Sequence, residues 1–195
     1  AVRRFTGYIF DHHADAETGL IIETLAHDFS RLTGALENLV NVGHVGEGIW
    51  MVKHEAERTA DGKTAGTALG LAEPHLAAGW DAGYGGVFWS IDGKSKQPVN
   101  PVKSGWAHQE YLLTLLEAIE YGCFDWAVEW YERLYAYAFT VFPDGQWHRV
   151  VRRDNTPLPP GADQGFIGNE TRDIFHFPRY LMFTVEILER LEGKK

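Results

Sequence analysis

An all-α fold, built as an array of helical hairpins, is predicted by three observations. Apolar residues recur at helical spacing in six stretches, roughly 2–13, 43–59, 64–78, 105–122, 125–142 and 177–192, the pattern of helices that turn one side to a core. Glycine-containing turns followed by short β-prone runs interrupt them at 15–23 ("DAETGLIIE"), 81–92 ("DAGYGGVFWSID") and 144–154 ("DGQWHRVVRRD"), which reads as small hairpins joining helices. A histidine then follows near each helix start, in "NVGHVGE", "SGWAHQE" and "RDIFHFPR". His44, His108 and His176 thus recur at intervals of about 65 residues, so a unit of helix, helix and hairpin repeats three times. Stacked units place equivalent helix starts side by side, and the three histidines are expected to converge on one end of the fold.

Composition bounds what such an array does. The 195 residues are 45% hydrophobic, enough for one substantial core, and no stretch rich in Pro, Ser or charge divides them, so a single domain over 1–195 is expected. Lys and Arg number 18 against 27 Asp and Glu, a net charge of −9. That field repels nucleic acid and anionic membrane surfaces. One cysteine, Cys123, excludes an internal disulfide framework and fits a reducing compartment, so a cytoplasmic location is expected. No apolar run reaches the ~18 residues of a membrane span, and "AVRRFTGYIF" lacks both a secretion signal's long apolar segment and an initiator Met, so the native N-terminus is expected elsewhere. Aromatics make up 13%, with 7 Trp, a density suited to a large core or to a pocket for the apolar faces of sugar rings.

Taken in order, the first stretch ends at His12 and His13, read as solvent-facing at a helix end. The second opens with "GHVGEGIW", where His44 and Glu47, three apart, share a helix face. Gly43, Gly46 and Gly48 surround that pair, and each costs a helix about 1 kcal/mol relative to Ala, so close approach by another backbone or a ligand is expected to explain them. The fourth opens with "GWAHQEYLL", where Trp106, His108 and Glu110 precede an aliphatic run. In the last, proline favours the first helical position and its predecessor avoids helical geometry, so Pro178 is expected to begin the helix with Phe177 outside it. His176 then lies at the positive end of the helix dipole, which favours a neutral imidazole able to accept a proton. Arg179 sits in the first turn, where a cation is unfavourable, and is expected to have a compensating partner or ligand. A structural alternative makes His176 a cap and Arg179 a bridge to a surface carboxylate.

"NVGHVGEGIW", "GWDAGYGGVFW", "GWAHQEYLLTLLEA", "DGQWHRVV" and "FHFPR" occur in the order and spacing that resemble the N-acylglucosamine 2-epimerase family, which includes cellobiose 2-epimerases and aldose–ketose isomerases. "FHFPR" is closest to the N-acylglucosamine branch. The resemblance implies an (α/α)6 barrel of twelve helices, of which this chain matches the C-terminal half, with six helices and short β-hairpins between them. It implies an isomerase acting on a reducing sugar without a cofactor or metal. His44 and His176 would remove and return the proton at carbon 2, on opposite faces of an enediolate. By the same resemblance Glu47 would orient or tune His44, Glu110 would hold a sugar hydroxyl or assist ring opening, and Arg179 would stabilise the enolate oxygen. Trp50 and Trp106 would offer stacking surfaces, with core packing as their alternative, and His108 would belong to the pocket wall. The family's N-terminal half contributes an arginine and aromatic pocket residues with no counterpart here. The chain is therefore expected to be a fragment, a split protein paired with its other half, or a self-associating half-barrel.

Three other readings stay open on the residues alone. His44, Glu47, His108, Glu110 and His176 contain a possible His/carboxylate metal set, though no helix carries two histidines at i and i+4. Glu47 and Glu110 would serve as the two carboxylates in a glycoside hydrolase reading. A catalytically silent half-barrel that binds a sugar or a partner protein is the third.

Overall fold

The computed structural model describes residues 2–143, 150–159 and 175–193. Gln146, Trp147 and His148 of "DGQWHRVV" and Arg172, Asp173 and Ile174 of "RDIFHFPR" lie outside the described residues. All six expected stretches are helical. Helix α1, Val2–Tyr8, runs into a π-helical turn, Ile9–His13; α2 is Val42–Arg58, α3 Gly62–Gly70, α4 Ala72–Gly79, α5 Gly105–Tyr121, α6 Trp126–Val141 and α7 His176–Gly193. The stretch read as one helix over 64–78 divides at Leu71 into α3 and α4. Pro74 explains the division, because its missing N–H and its ring disrupt the bond to the residue four back, and it falls in the first turn of α4, where that N–H is not needed. A second correction concerns α7. It begins at His176, not Pro178, and the proline occupies the third position, still among the N–H groups that have no partner within a helix.

The strands are short and pair differently from the expected local hairpins. Strands β1 (Leu39–Asn41), β2 (Ser90–Asp92) and β3 (Pro98–Asn100) form one antiparallel sheet in that order, and β4 (Lys103–Ser104) pairs with β5 (Val150–Val151). Only β2 and β3 are a local hairpin; β1 with β2, and β4 with β5, join successive repeats. The run at 15–23 makes an isolated bridge, Ala14 to Ile21, and no named strand. Two strands lead directly into helices. Asn41 ends β1 and caps α2, its side chain accepting the His44 N–H, while Ser104 ends β4 and stands at the N-cap position of α5 without a side-chain cap bond. The strand pairs therefore set the height of those helix starts.

Helix α2 packs on α3 and α5, and α5 packs on α2, α6 and α7. Helix α5 is buried almost continuously from Gly105 to Ala118, as expected of a helix with neighbours all round. Gly46 lets Tyr111 pack against α2, since a Cβ there would lie 2.9 Å from the ring, and Thr114 donates to the Gly46 carbonyl at 2.8 Å. Deeper along the same two helices, Glu117 is buried between Lys53 and His54. Burial pushes its carboxyl up, but hydrogen bonds from His54 and Lys53 prevail and hold it below the usual range.

Two histidines tie loops to helices by one device. His75 donates from Nδ1 to the Leu71 carbonyl at 2.7 Å and accepts the Ile21 N–H on Nε2 at 2.8 Å. His108 donates to the Ser104 carbonyl at 2.7 Å and accepts the Val87 N–H at 3.1 Å. Accepting requires an unprotonated Nε2, and burial lowers both imidazoles to about 4. Lys103, fully buried, donates to the carbonyls of Gly85 (2.5 Å) and Arg153 (2.7 Å) and pairs with Asp81 at 3.2 Å. These bonds fasten the loop after α4 to the one after β5.

Candidate active site

The starts of α2, α5 and α7 meet at one rim, and Trp106, the second residue of α5, is its centre. Its indole lies directly on α2 because Gly43 has no side chain: a Cβ there would come within 2.4 Å of the ring. The His44 imidazole packs against it at 5.5 Å between centroids, and the His176 imidazole stacks on it at 5.0 Å and 29°. Trp89 meets it edge to face at 5.7 Å. Two imidazoles from helix starts 132 residues apart in sequence, His44 and His176, are thus separated by no more than the sum of their distances to one indole.

Each imidazole is held by a different carboxylate. His44 Nδ1 donates to Glu23 Oε1 at 2.8 Å, and that bond, with smaller Coulombic help from Glu23 and Glu47 and against partial burial, raises the His44 pKa. His176 Nδ1 donates to Glu110 Oε1 at 2.5 Å. Glu110 is only 2% exposed and accepts two further bonds, from Arg179 Nη2 at 2.5 Å and from the Trp50 indole N–H at 2.7 Å. Arg179 also reaches Glu47 at 2.8 Å, and its guanidinium lies 4.8 Å over Trp50 and 4.3 Å over Phe175. A buried carboxylate with three donors is a satisfied one. The cation that the first turn of α7 disfavours is compensated by two acids on neighbouring helices.

Seven of the eight residues singled out in the sequence, His44, Glu47, Trp50, Trp106, Glu110, His176 and Arg179, come together here. His108 does not. It is fully buried, stacked on Tyr137 at 4.9 Å, with both ring nitrogens bonded to backbone, so its expected place in the pocket wall is corrected to a core position. The helix starts are equivalent but the registers differ, and Trp106 occupies the rim position. Glu47 does not orient His44 by a bond, since its hydrogen bond runs to Arg179 while Glu23 bonds His44; it acts on that imidazole through its charge alone. No spacing rule reveals Glu23, which lies 21 residues from His44 at the end of a β-prone run. Trp106 presents its ring to the two imidazoles and Trp50 is buried beneath Arg179, so both brace the site. His12 and His13 are partly buried, not solvent-facing: His12 stacks on Phe29 at 3.9 Å, and His13 donates to the Ile22 carbonyl at 2.6 Å.

Among the described residues, one group has the geometry of metal ligands: Glu47, Glu110 and His176 offer atoms within 4.8 Å of one another. Arg179 Nη2 bonds both carboxylates of that group, supplying the positive charge that a cation would bring. The same bonds engage both acids that a two-carboxylate hydrolase would need. Beside His44 and Glu23 opens an apolar cavity of about 130 Å³, lined by Ile9, Phe10, Ile22, Val45, Gly48 and Ile49 among others.

In structure the chain is similar to a D-mannose isomerase, with a TM-score of 0.76 at 13% identity over 96% of this chain and 49% of that one. It is similar also to a cellobiose 2-epimerase from Bacillus thermoamylovorans (0.76, 15% identity, 95% and 46%) and to a sugar epimerase from a ruminal bacterium (0.75, 16%, 95% and 46%). The fold is that of about half an (α/α)6 barrel, and the chain spans about half the length of the solved structures it matches. A search of curated proteins by sequence returns no match. The sequence profile of the N-acylglucosamine 2-epimerase (GlcNAc 2-epimerase) family matches residues 2–165, and the chain belongs to that family.

Proposed function

We propose that this chain carries the two-base rim of a sugar 2-epimerase, with His44 and His176 as the proton-transferring groups at carbon 2. The observation that carries the reading is the pair of imidazoles packed on one indole, each with Nδ1 committed to its own carboxylate. In His44, Nε2 has no hydrogen-bond partner among the described residues and is the nitrogen proposed for proton transfer. A neutral imidazole takes the proton beside the sugar carbonyl, and the opposite imidazolium returns one to the other face, which inverts the centre. The enediolate oxygen between them needs a fixed positive charge. Arg179 is the guanidinium proposed for it, fixed beside His176 by its bonds to Glu47 and Glu110. Trp50 and Trp106 exclude water from one side, which strengthens that interaction.

An aldose–ketose isomerase of the same family passes through the same enediolate and returns the proton to carbon 1 instead. The likeness to a D-mannose isomerase supports keeping that reaction as the second reading. The substrate is a small reducing sugar, and the working unit contains a companion for the open side of the array, either the other half of the barrel or a second copy of the chain. The exposed free thiol of Cys123 supports a reducing, cytoplasmic setting.

The test is interconversion of N-acetylmannosamine and N-acetylglucosamine, followed by NMR, with the companion half supplied. The wild-type chain is expected to epimerise, and His44→Gln or His176→Gln to slow it by about 10²–10⁴-fold. Full activity in either variant would remove that histidine from the chemistry.

A further inference from the structure

We infer that Glu23 is the positioning residue of His44, setting its tautomer and its hold on a proton; the catalytic consequence rests on the reading proposed above. A carboxylate only accepts, so the 2.8 Å contact places the proton on Nδ1 and leaves the Nε2 lone pair on the opposite edge of the ring. Without that bond nothing fixes the tautomer, and molecules that carry the proton on Nε2 present a donor where an acceptor is needed.

The backbone beneath Glu23 is tethered from several elements. Its own N–H donates to the Leu39 carbonyl at 2.7 Å and the Ile22 N–H to His13 at 2.9 Å, while the Ile21 N–H donates to His75 at 2.8 Å. Leu20 and Ile22 are buried on either side of Ile21. Glu23 is thus delivered from a fixed segment outside α2, and the bond is part-shielded, with the carboxylate side chain 28% exposed. Among the described residues, the titratable groups near His44 are Glu23, Glu47 from its own helix, His13, which lines the same cavity from the π-helical turn, and His176 from α7, which shares the Trp106 indole. Helix α5 presents the uncharged Trp106. Glu47 is held by Arg179, which leaves Glu23 as the hydrogen-bond partner of the ring.

Among the described residues no cation bonds Glu23, so its charge is left to His44, and the bond between them raises the pKa of that imidazole above its ordinary value.

The experiment is ¹⁵N NMR of the histidine-labelled chain, titrated as wild type, Glu23→Gln and Glu23→Asp. In Glu23→Gln the His44 midpoint is expected to fall and its Nδ1–H preference to weaken, with Glu23→Asp intermediate. Unchanged His44 shifts and midpoint in Glu23→Gln would overturn the inference. Its kinetic counterpart is a displaced limb in the pH profile of kcat/KM with KM preserved. If the ring signals move as expected in a chain that turns over no sugar, the positioning role stands and the catalytic reading falls.

Discussion

At the scale of single residues, the decisive polar contacts connect distant parts of the chain. Arg179 with Glu47 and Glu110, His176 with Glu110, and Trp50 with Glu110 each span 60 residues or more. The sequence announces that Arg179 needs a partner, because a cation in the first turn of a helix opposes the dipole. Which acid answers is set by how helices pack, and so Glu47 is read from sequence as the partner of the histidine on its own helix when it pairs across to α7. Glu23 has no local signal at all. His108 shows the converse. Its type and position match the repeat, yet one step of helical register turns it into the core. That placement carries a prediction, since His75 and His108 must both stay neutral to accept a backbone N–H. Their folded pKa values, about 4, lie below the unfolded value near 6.5. Between those limits the unfolded chain binds more protons, so stability is full above the unfolded pKa and falls as pH drops through the window, by up to roughly 1.4 kcal/mol per pH unit for each histidine. Urea denaturation at pH 7 and pH 5 checks this, and a midpoint unchanged between them would contradict it.

At the scale of elements, the helices were readable from their apolar period, with errors where proline intervenes. Pro74 divides one expected helix, and Pro178 sits inside α7 without disturbing it, because the first turn has no N–H to lose. The strands were not readable as they pair. Two of their three pairings join residues about fifty positions apart, a choice made by tertiary packing and invisible to turn signals. Of the three glycines around His44, Gly43 and Gly46 meet Trp106 and Tyr111, while Gly48 faces open space at the cavity. Their substitution should therefore differ in sign. Gly43→Ala is expected to destabilise by about 1–3 kcal/mol through overpacking against the indole, whereas Gly48→Ala should be neutral or stabilising by up to about 1 kcal/mol. Equilibrium unfolding of the two variants measures it. Equal losses in both would show that the glycines serve the helix in some other way.

At the scale of the whole molecule, the repeat was the legible feature, because three units with the same order of helices and turns stack only as an array. The half-barrel comes from the family resemblance and the likeness to solved barrels, of which the chain spans about half, and it leaves an unfinished flank. Helix α7 exposes Leu181, Val185 and Leu188 along one side, with Met182 beside them, an apolar strip of the kind that another helix covers. The proposed pair of bases lies within this chain even so, since both imidazoles, their carboxylates and Arg179 belong to it. The most direct measurement of that claim is exchange of the carbon-2 hydrogen in heavy water, for each epimer separately, by His44→Gln and His176→Gln with the companion half supplied. Two bases on opposite faces predict that each variant, though unable to interconvert the sugars, exchanges one epimer, and that the two variants exchange opposite ones. Exchange of the same epimer by both variants would contradict the account.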